Sequence, residues 1–121
     1  MIYTDTHCHL YGEEFNEDIE SVIADSVADG VNKILLPNID LDSIGAMHIL
    51  SQKYPDNCFP MMGLHPCSVD KDYQQVLGKM YSYFSLNKYV GIGEVGMDLY
   101  WDKSTENMQK DALTQQVEWA I

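Results

Sequence analysis

The sequence predicts an α/β protein whose strands form a parallel sheet. Short apolar segments alternate with longer segments in which apolar residues recur every three or four positions, and this alternation runs through the chain. The first pattern is typical of buried strands and the second of amphipathic helices. Strands that alternate with helices form parallel sheets with right-handed crossovers. The 121 residues, 45% of them hydrophobic, suit one domain with a single core.

The first two βα units are predicted from residues 2–54. Residues 2–9 form the first strand, and "VNKILLP" at 31–37 forms the second, which is apolar enough to be covered on both faces. A helix over 16–29 joins them because its apolar residues share one stripe, and Gly30 ends it. A second helix over 42–54 ends before Pro55, which cannot continue a helix.

Two further βα units are predicted from residues 58–121. "CFPMMGLHP" at 58–66 and "YVGIGEVG" at 89–96 form the third and fourth strands. The helix between them begins after Asp70 and Asp72, which suit helix N-caps, and Ser104 or Thr105 opens the last helix. Four units can form a small open sheet, whereas a closed (β/α)8 barrel takes about 250 residues.

Composition limits the partners and the compartment. Nineteen acidic residues stand against seven lysines, there is no arginine, and the formal net charge is −12. Such a surface repels polyanions, so binding to a nucleic acid cannot rest on a basic groove within these residues. No secretory signal is visible, and the longest aliphatic run is too short to span a bilayer. We therefore expect a cytoplasmic protein without membrane contact.

The segment "TDTHCHL" at 4–10 contains the first candidate site. Side chains alternate along a strand, so His7 and His9 face one side and Cys8 faces the other. Two imidazoles on one face can bind one divalent metal, and the parity excludes Cys8 as a ligand. Asp5 shares the histidines' side and could orient one of them as a hydrogen-bond acceptor. The alternative is two polar residues at a strand end.

Glu94 and His65 end the fourth and third predicted strands. The carboxylate of Glu94 follows an apolar run, where burial is costly unless a cation or donors meet it. Sites assemble at the C-terminal ends of parallel strands, where His7 and His9 also lie. His65 is a candidate substrate contact or acid–base group. The alternatives are that Glu94 only reaches solvent and that His65 only anchors its loop. His48 lies on a predicted helix and is interpreted as a surface or packing residue.

The loop after Glu94 reads "GMDLYWDKS". Asp98 could brace this loop, and Tyr100 and Trp101 form an aromatic pair that could stack a base, at about 1–3 kcal/mol per base, or only cover the rim of the sheet. Lys103 could meet a phosphate or only lie near a helix start.

Together, "TDTHCHL", "GLHP", "GIGEVGMDLYWDKS" and the helix "NMQKDALTQQVEWA" resemble the TatD family of metal-dependent hydrolases, which are (β/α)8 barrels. The resemblance covers essentially the whole chain. It implies that His7 and His9 bind one metal of a two-metal centre, that Glu94 bridges both metals, and that His65 approaches the substrate. Gln109 and Gln116 match glutamines of the family's following helix.

The resemblance also implies an activity, but residues 1–121 lack some of the family's metal ligands. The family is associated with phosphodiester hydrolysis of DNA, including exonuclease action from the 3′ end, with magnesium, manganese or zinc. Its remaining metal ligands, two histidines and an aspartate, lie on later strands, so residues 1–121 are expected to be the N-terminal half of such a barrel and inactive alone. The alternatives are hydrolysis of another ester or amide at the same site, and a non-catalytic half-barrel that self-associates.

Overall fold

The computed structural model describes residues 1–121 as alternating strands and helices. The strands are β1 (Tyr3–Asp5), β2 (Val31–Pro37) and β3 (Cys58–Met61). The helices are α1 (Ile19–Ala28), α2 (Ser43–Lys53), α3 (Tyr73–Ser82) and α4 (Glu106–Trp119). Single 3₁₀ turns lie at Glu13–Phe15, Pro66–Ser68 and Tyr83–Ser85.

The three strands form one parallel sheet in the order β1-β2-β3. Asp5 is in register with Ile34 in the first pair, and Ile34 with Cys58 in the second. All three strands run in the same direction, so their C-terminal ends point to the same edge of the sheet, and the predicted α/β class with parallel strands is confirmed.

The predicted fourth strand, residues 89–96, does not form a regular strand. Residues 90–93 nevertheless pair in parallel with the end of β3: the amides of Val90 and Gly93 donate to the carbonyls of Pro60 and Met62, and the amide of Met62 donates to the carbonyl of Gly91. The segment then leaves β3, and the amide of Glu94 donates to the carbonyl of Asn38 at 2.8 Å. The prediction missed this crossing because it depends on two backbones in close approach: a Cβ on Gly63 would lie 2.5 Å from the carbonyl carbon of Gly93.

Several predicted boundaries are also longer than the elements that form. β1 ends at Asp5 rather than at residue 9, and β3 ends at Met61 rather than at residue 66. The helix expected from residue 16 begins at residue 19, because a 3₁₀ turn over Glu13–Phe15 precedes it. Asp72 occupies the N-cap position of α3, but its side chain makes no capping hydrogen bond.

Two apolar clusters form the core. One lies under α1 and α2 and comprises Leu10, Ile23, Ile34, Leu36, Met47, Leu50 and Cys58. The other lies under α3 and α4 and comprises Ile44, Met62, Leu64, Val69, Leu77, Met80 and Ala112. The second cluster thus extends directly beneath the backbone that leads to His65.

No helix is long and apolar enough to cross a membrane.

His48 is half-buried and packs against aromatic residues, one of the two possibilities predicted for it. Its Nε2 atom lies 2.8 Å from the hydroxyl of Tyr89, and its ring lies edge-on to Tyr83. Burial lowers the pKa of His48 below its ordinary value of 6.5. Burial likewise raises the pKa of Tyr89 to about 12, so the phenol stays protonated at neutral pH.

We predict that His48 makes the stability fall in mild acid. Below pH 6.5 the unfolded chain takes up a proton that the folded chain resists, so the free energy of unfolding decreases as the pH drops toward the folded-state pKa. His48→Gln, which keeps a partner for Tyr89, should weaken this pH dependence in urea unfolding series from about pH 8 to pH 5. Parallel curves for the two proteins would contradict the assignment.

Candidate metal centre

Three separate segments bring ligating side chains to one edge of the sheet. His7 and His9 follow β1, His65 follows β3, and Glu94 follows the bridged residue Ile92. Parallel strands present their C-terminal ends on the same side, which is where sites assemble in such sheets. These side chains lie close together because each follows a strand or bridged segment that runs in the same direction.

The carboxylate of Glu94 is the meeting point. Its Oε2 atom lies 3.1 Å from Nε2 of His7 and 3.1 Å from Nε2 of His9. Its Oε1 atom lies 3.2 Å from Nε2 of His65. The predicted clustering of Glu94 with both strand-end histidines is confirmed, and His65 is in contact with the same carboxylate.

The parity of "THCH" holds beyond the end of β1. The rings of His7 and His9 lie side by side, with centroids 5.1 Å apart, whereas Cys8 packs against the apolar cluster under α1 and α2. Burial, with the nearby charge of Asp5, raises the pKa of the Cys8 thiol, which keeps it protonated. Asp5 differs from expectation, because its carboxylate accepts the backbone N–H of His7 at 3.0 Å rather than an imidazole N–H.

His9 has a buried ring nitrogen without a hydrogen bond. Its Nε2 atom is close to the Glu94 carboxylate, but no hydrogen bond satisfies it. A buried polar atom without a partner costs about 1–3 kcal/mol, so it indicates an interaction that hydrogen bonds within the protein do not supply. The ligand atoms of His7, His9 and Glu94 all lie within 4.8 Å of one another. Two imidazole nitrogens and a carboxylate oxygen form a set that suits a borderline divalent cation.

His65 presents a proton rather than a lone pair to the carboxylate. Its Nδ1 atom accepts the backbone N–H of Cys67 at 3.0 Å. The neutral ring therefore carries its proton on Nε2, which lies 3.2 Å from Oε1 of Glu94. His65 and His9 both approach the carboxylate through Nε2, and the Nε2 atom of His9 is buried.

The loop after Glu94 is braced by Asp98. The amide of Tyr100 and the thiol of Cys67 donate to its carboxylate at 3.0 and 3.3 Å, and these bonds hold the pKa of Asp98 below its usual value. Loss of solvation and the charge of Asp98 raise the pKa of the Cys67 thiol, which remains a donor.

The three predicted substrate contacts lie on this loop without touching the carboxylate cluster. Tyr100 and Trp101 pack edge to face with centroids 4.7 Å apart, and each is about four-fifths exposed. Lys103 is exposed and forms no salt bridge. No hydrogen bond or ion pair joins any of the three to His65 or Glu94.

Asn38 is a site residue that the sequence reasoning missed. It follows β2 and is fully buried, and its Nδ2 atom donates to the carbonyl of Gly63 at 3.0 Å. Its own backbone pairs with Gly93 and Glu94. The available signal was an amide directly after the apolar run "ILLP", a position where an unpaired polar group is costly.

The sequence matches the model of the family TatD related DNase over residues 4–121. The chain belongs to that family. Among TatD-family relatives, the metal-dependent hydrolase YabD of Bacillus subtilis (strain 168) is 31% identical, over 93% of this chain and 44% of its own length. The 3′-5′ ssDNA/RNA exonuclease TatD of Pectobacterium carotovorum subsp. carotovorum (strain PC1) is 28% identical over the same shares.

Solved structures agree with this assignment. The crystal structure of YjjV, a TatD homologue from Escherichia coli K12, superposes with a TM-score of 0.87 at 28% identity, and the match covers 98% of this chain and 46% of that one. A TatD family hydrolase from Entamoeba histolytica shares the fold, with a TM-score of 0.79 at 18% identity. The chain thus spans a little under half the length of these relatives.

We predict that neutral His65 is the Nε2–H tautomer. Nitrogen NMR of protein treated with chelator should show a protonated Nε2 and an unprotonated Nδ1, because the Cys67 amide needs an acceptor at Nδ1. A protonated Nδ1 would contradict the hydrogen-bond assignment.

Proposed function

We propose that the protein is a metal-dependent hydrolase of phosphodiester bonds, a deoxyribonuclease that acts on single strands from the 3′ end. Residues 1–121 would form the N-terminal half of its (β/α)8 barrel. The observation that carries the proposal is the convergence of His7 and His9 on Glu94, with a buried His9 nitrogen that lacks a hydrogen bond.

The proposed metal ligands are His7, His9 and Glu94. The complete site would hold divalent ions, two of magnesium, manganese or zinc, and Glu94 would be one of the residues that bind them. When bound, such ions supply Lewis-acid polarisation of a phosphoryl oxygen. The two oxygens of Glu94 face different partners: Oε2 faces the pair after β1, and Oε1 faces His65.

His65 is proposed to act at the substrate. Its Nε2–H lies at the edge of the carboxylate cluster, and the backbone of Cys67 holds the ring in the donor form. A fixed N–H donor beside a charged centre can hydrogen-bond a phosphate oxygen or supply a proton to a departing oxygen.

Tyr100, Trp101 and Lys103 are proposed to bind the strand. The exposed aromatic pair supplies stacking faces, and stacking does not depend on base identity. Lys103 supplies a free ammonium group for a backbone phosphate. Relatives that bear the name 3′-5′ ssDNA/RNA exonuclease support a single-stranded substrate.

A second candidate is hydrolysis of a small ester or amide at the same centre. The net charge of −12 without any arginine favours it, because a polyanion is repelled by such a surface. A panel of single-stranded DNA, phosphate monoesters, carboxylic esters and amides, assayed with manganese, would distinguish the two functions.

We predict that metal binding depends on the strand-end histidines. In the full-length protein, His7→Ala or His9→Ala should weaken manganese binding by at least about tenfold in calorimetry and abolish metal-dependent hydrolysis. The matched control is Cys8→Ala, which lies between them on the opposite face and should retain most of both properties. Unchanged affinity in both histidine variants would rule out these ligands.

We predict that Trp101 binds bases rather than phosphates. Trp101→Ala should raise KM for single-stranded DNA by about 5–150-fold, the equivalent of about 1–3 kcal/mol per stacked base, with little change in kcat. An abasic strand of the same length is the control substrate, because it offers nothing to stack. An equal rise in KM on both substrates would contradict stacking.

A further inference from the structure

The buried polar residues of this protein are all carboxamides. They are Asn38, Gln109 and Gln116, each at most 1% exposed. An amide in an apolar interior is unfavourable unless its donors and acceptors are paired. The partners of all three amides include backbone groups of the segments that carry His65, Glu94 or the aromatic loop.

Gln116 holds the peptide directly before His65. Its Oε1 atom accepts the N–H of Leu64 at 2.6 Å, and its Nε2 atom donates to the carbonyl of Leu64 at 3.4 Å. The side chain is anchored in turn by the carbonyl of Ala112, one helical turn earlier, at 3.1 Å. Both polar groups of Leu64 are thus tied to α4, and Leu64 is itself buried.

Gln109 holds the loop after Glu94 in the same way. Its Oε1 atom accepts the N–H of Asp98 at 2.8 Å, and its Nε2 atom donates to the carbonyl of Asp98 at 2.8 Å. Asp98 then contacts the amide of Tyr100 and the thiol of Cys67. One amide therefore sets the backbone from which the aromatic pair projects.

Both amides project from one rigid element. Gln109 and Gln116 are seven residues apart on α4, which is about two turns and about 10.5 Å of helix. The helix consequently fixes the separation between the His65 segment and the Asp98 segment. Both segments lie past the sheet pairing, because β3 ends at Met61 and residues 90–93 are the last of their segment to pair with it. The amide of His65 has a separate partner, the carbonyl of Ile39 at 2.8 Å.

We propose that Gln116 and Gln109 are positioning residues: Gln116 sets His65 against Glu94, and Gln109 sets the Tyr100–Trp101 loop. The inference deepens the proposed function and rests on it for its kinetic arm alone. The two amides should have different effects. Gln116 acts on His65, beside the reacting centre, and Gln109 acts on the loop proposed to bind single-stranded DNA.

The test uses Gln116→Met and Gln109→Met in the full-length protein, because methionine keeps the length and removes the hydrogen bonds. Gln115→Met is the matched control: it lies beside Gln116 on α4, but its amide bonds only surface groups of Gln74 and Asp111. Gln116→Glu is a second variant, which keeps the acceptor for Leu64 and loses the donor.

In the kinetic arm, Gln116→Met should lower kcat on single-stranded DNA by at least about tenfold with KM nearly unchanged. Gln109→Met should raise KM for the base-bearing strand and not for an abasic strand. Gln115→Met should match the wild type, and Gln116→Glu should recover part of the lost kcat.

In the structural arm, crystal structures of the Gln116 variants should show the His65 Nε2 to Glu94 Oε1 distance lengthened beyond hydrogen-bonding range. Manganese affinity, measured on the folded variants, should fall in Gln116→Met and stay constant in Gln115→Met. Variants that lose thermal stability but keep the His65–Glu94 distance and the metal affinity would overturn the proposal. If the wild type does not cleave DNA, the proposed function fails, and the distance and affinity still decide the role of the amides.

Discussion

One carboxylate that faces three imidazoles is the constraint on which the rest of the structure depends. Oε2 of Glu94 is about equally close to the two strand-end histidines, yet only His7 makes a hydrogen bond with it. The Nε2 atom of His9 is buried beside this carboxylate without a hydrogen bond, an arrangement that is unfavourable unless another group binds the nitrogen. A divalent cation bound by both imidazoles and the carboxylate would satisfy all three groups, and such a requirement would explain why the segment after β1 and the segment of Glu94 meet at the same point.

The histidine pair could be predicted from the sequence because it depends only on the period of a strand. Alternation places His7 and His9 together and Cys8 apart in any extended segment, and the structure keeps this order after β1 has ended. Glu94 was predicted from its place after an apolar run, where burial of a carboxylate is costly. Its crossing from β3 to Asn38 was not predicted, since the close approach of Gly63 to Gly93 involves residues thirty positions apart. The role of Asn38 was missed because its Nδ2 donates to the backbone carbonyls of Asp40 and Gly63, which no side-chain pattern reveals.

The negative charge of the chain opposes the binding of an anionic substrate at the site. The chain carries a formal net charge of −12 and no arginine, so the field over most of the surface opposes a polyanion. The imidazoles and Lys103 are the basic side chains of the site and its adjoining loop, and a neutral imidazole adds no charge. Metal ions would therefore dominate the local potential. Attraction of an anionic substrate should then be short-ranged and confined to the centre, since charges beyond about 8–10 Å are screened at physiological salt.

The sheet and the helices position the site by different means. His7 and His9 lie just beyond β1, where the amide of Cys8 still donates to the carbonyl of Leu35 and the side chains keep the alternation of a strand. His65 and the Asp98 loop lie beyond the regular strands, where a backbone without ladder partners would have unsatisfied amides and freedom to move. The buried amides of Asn38, Gln109 and Gln116 supply those missing partners from elements that are themselves rigid. These three buried amides thus hydrogen-bond the backbone beyond the sheet, in the segments that lead to the carboxylate cluster.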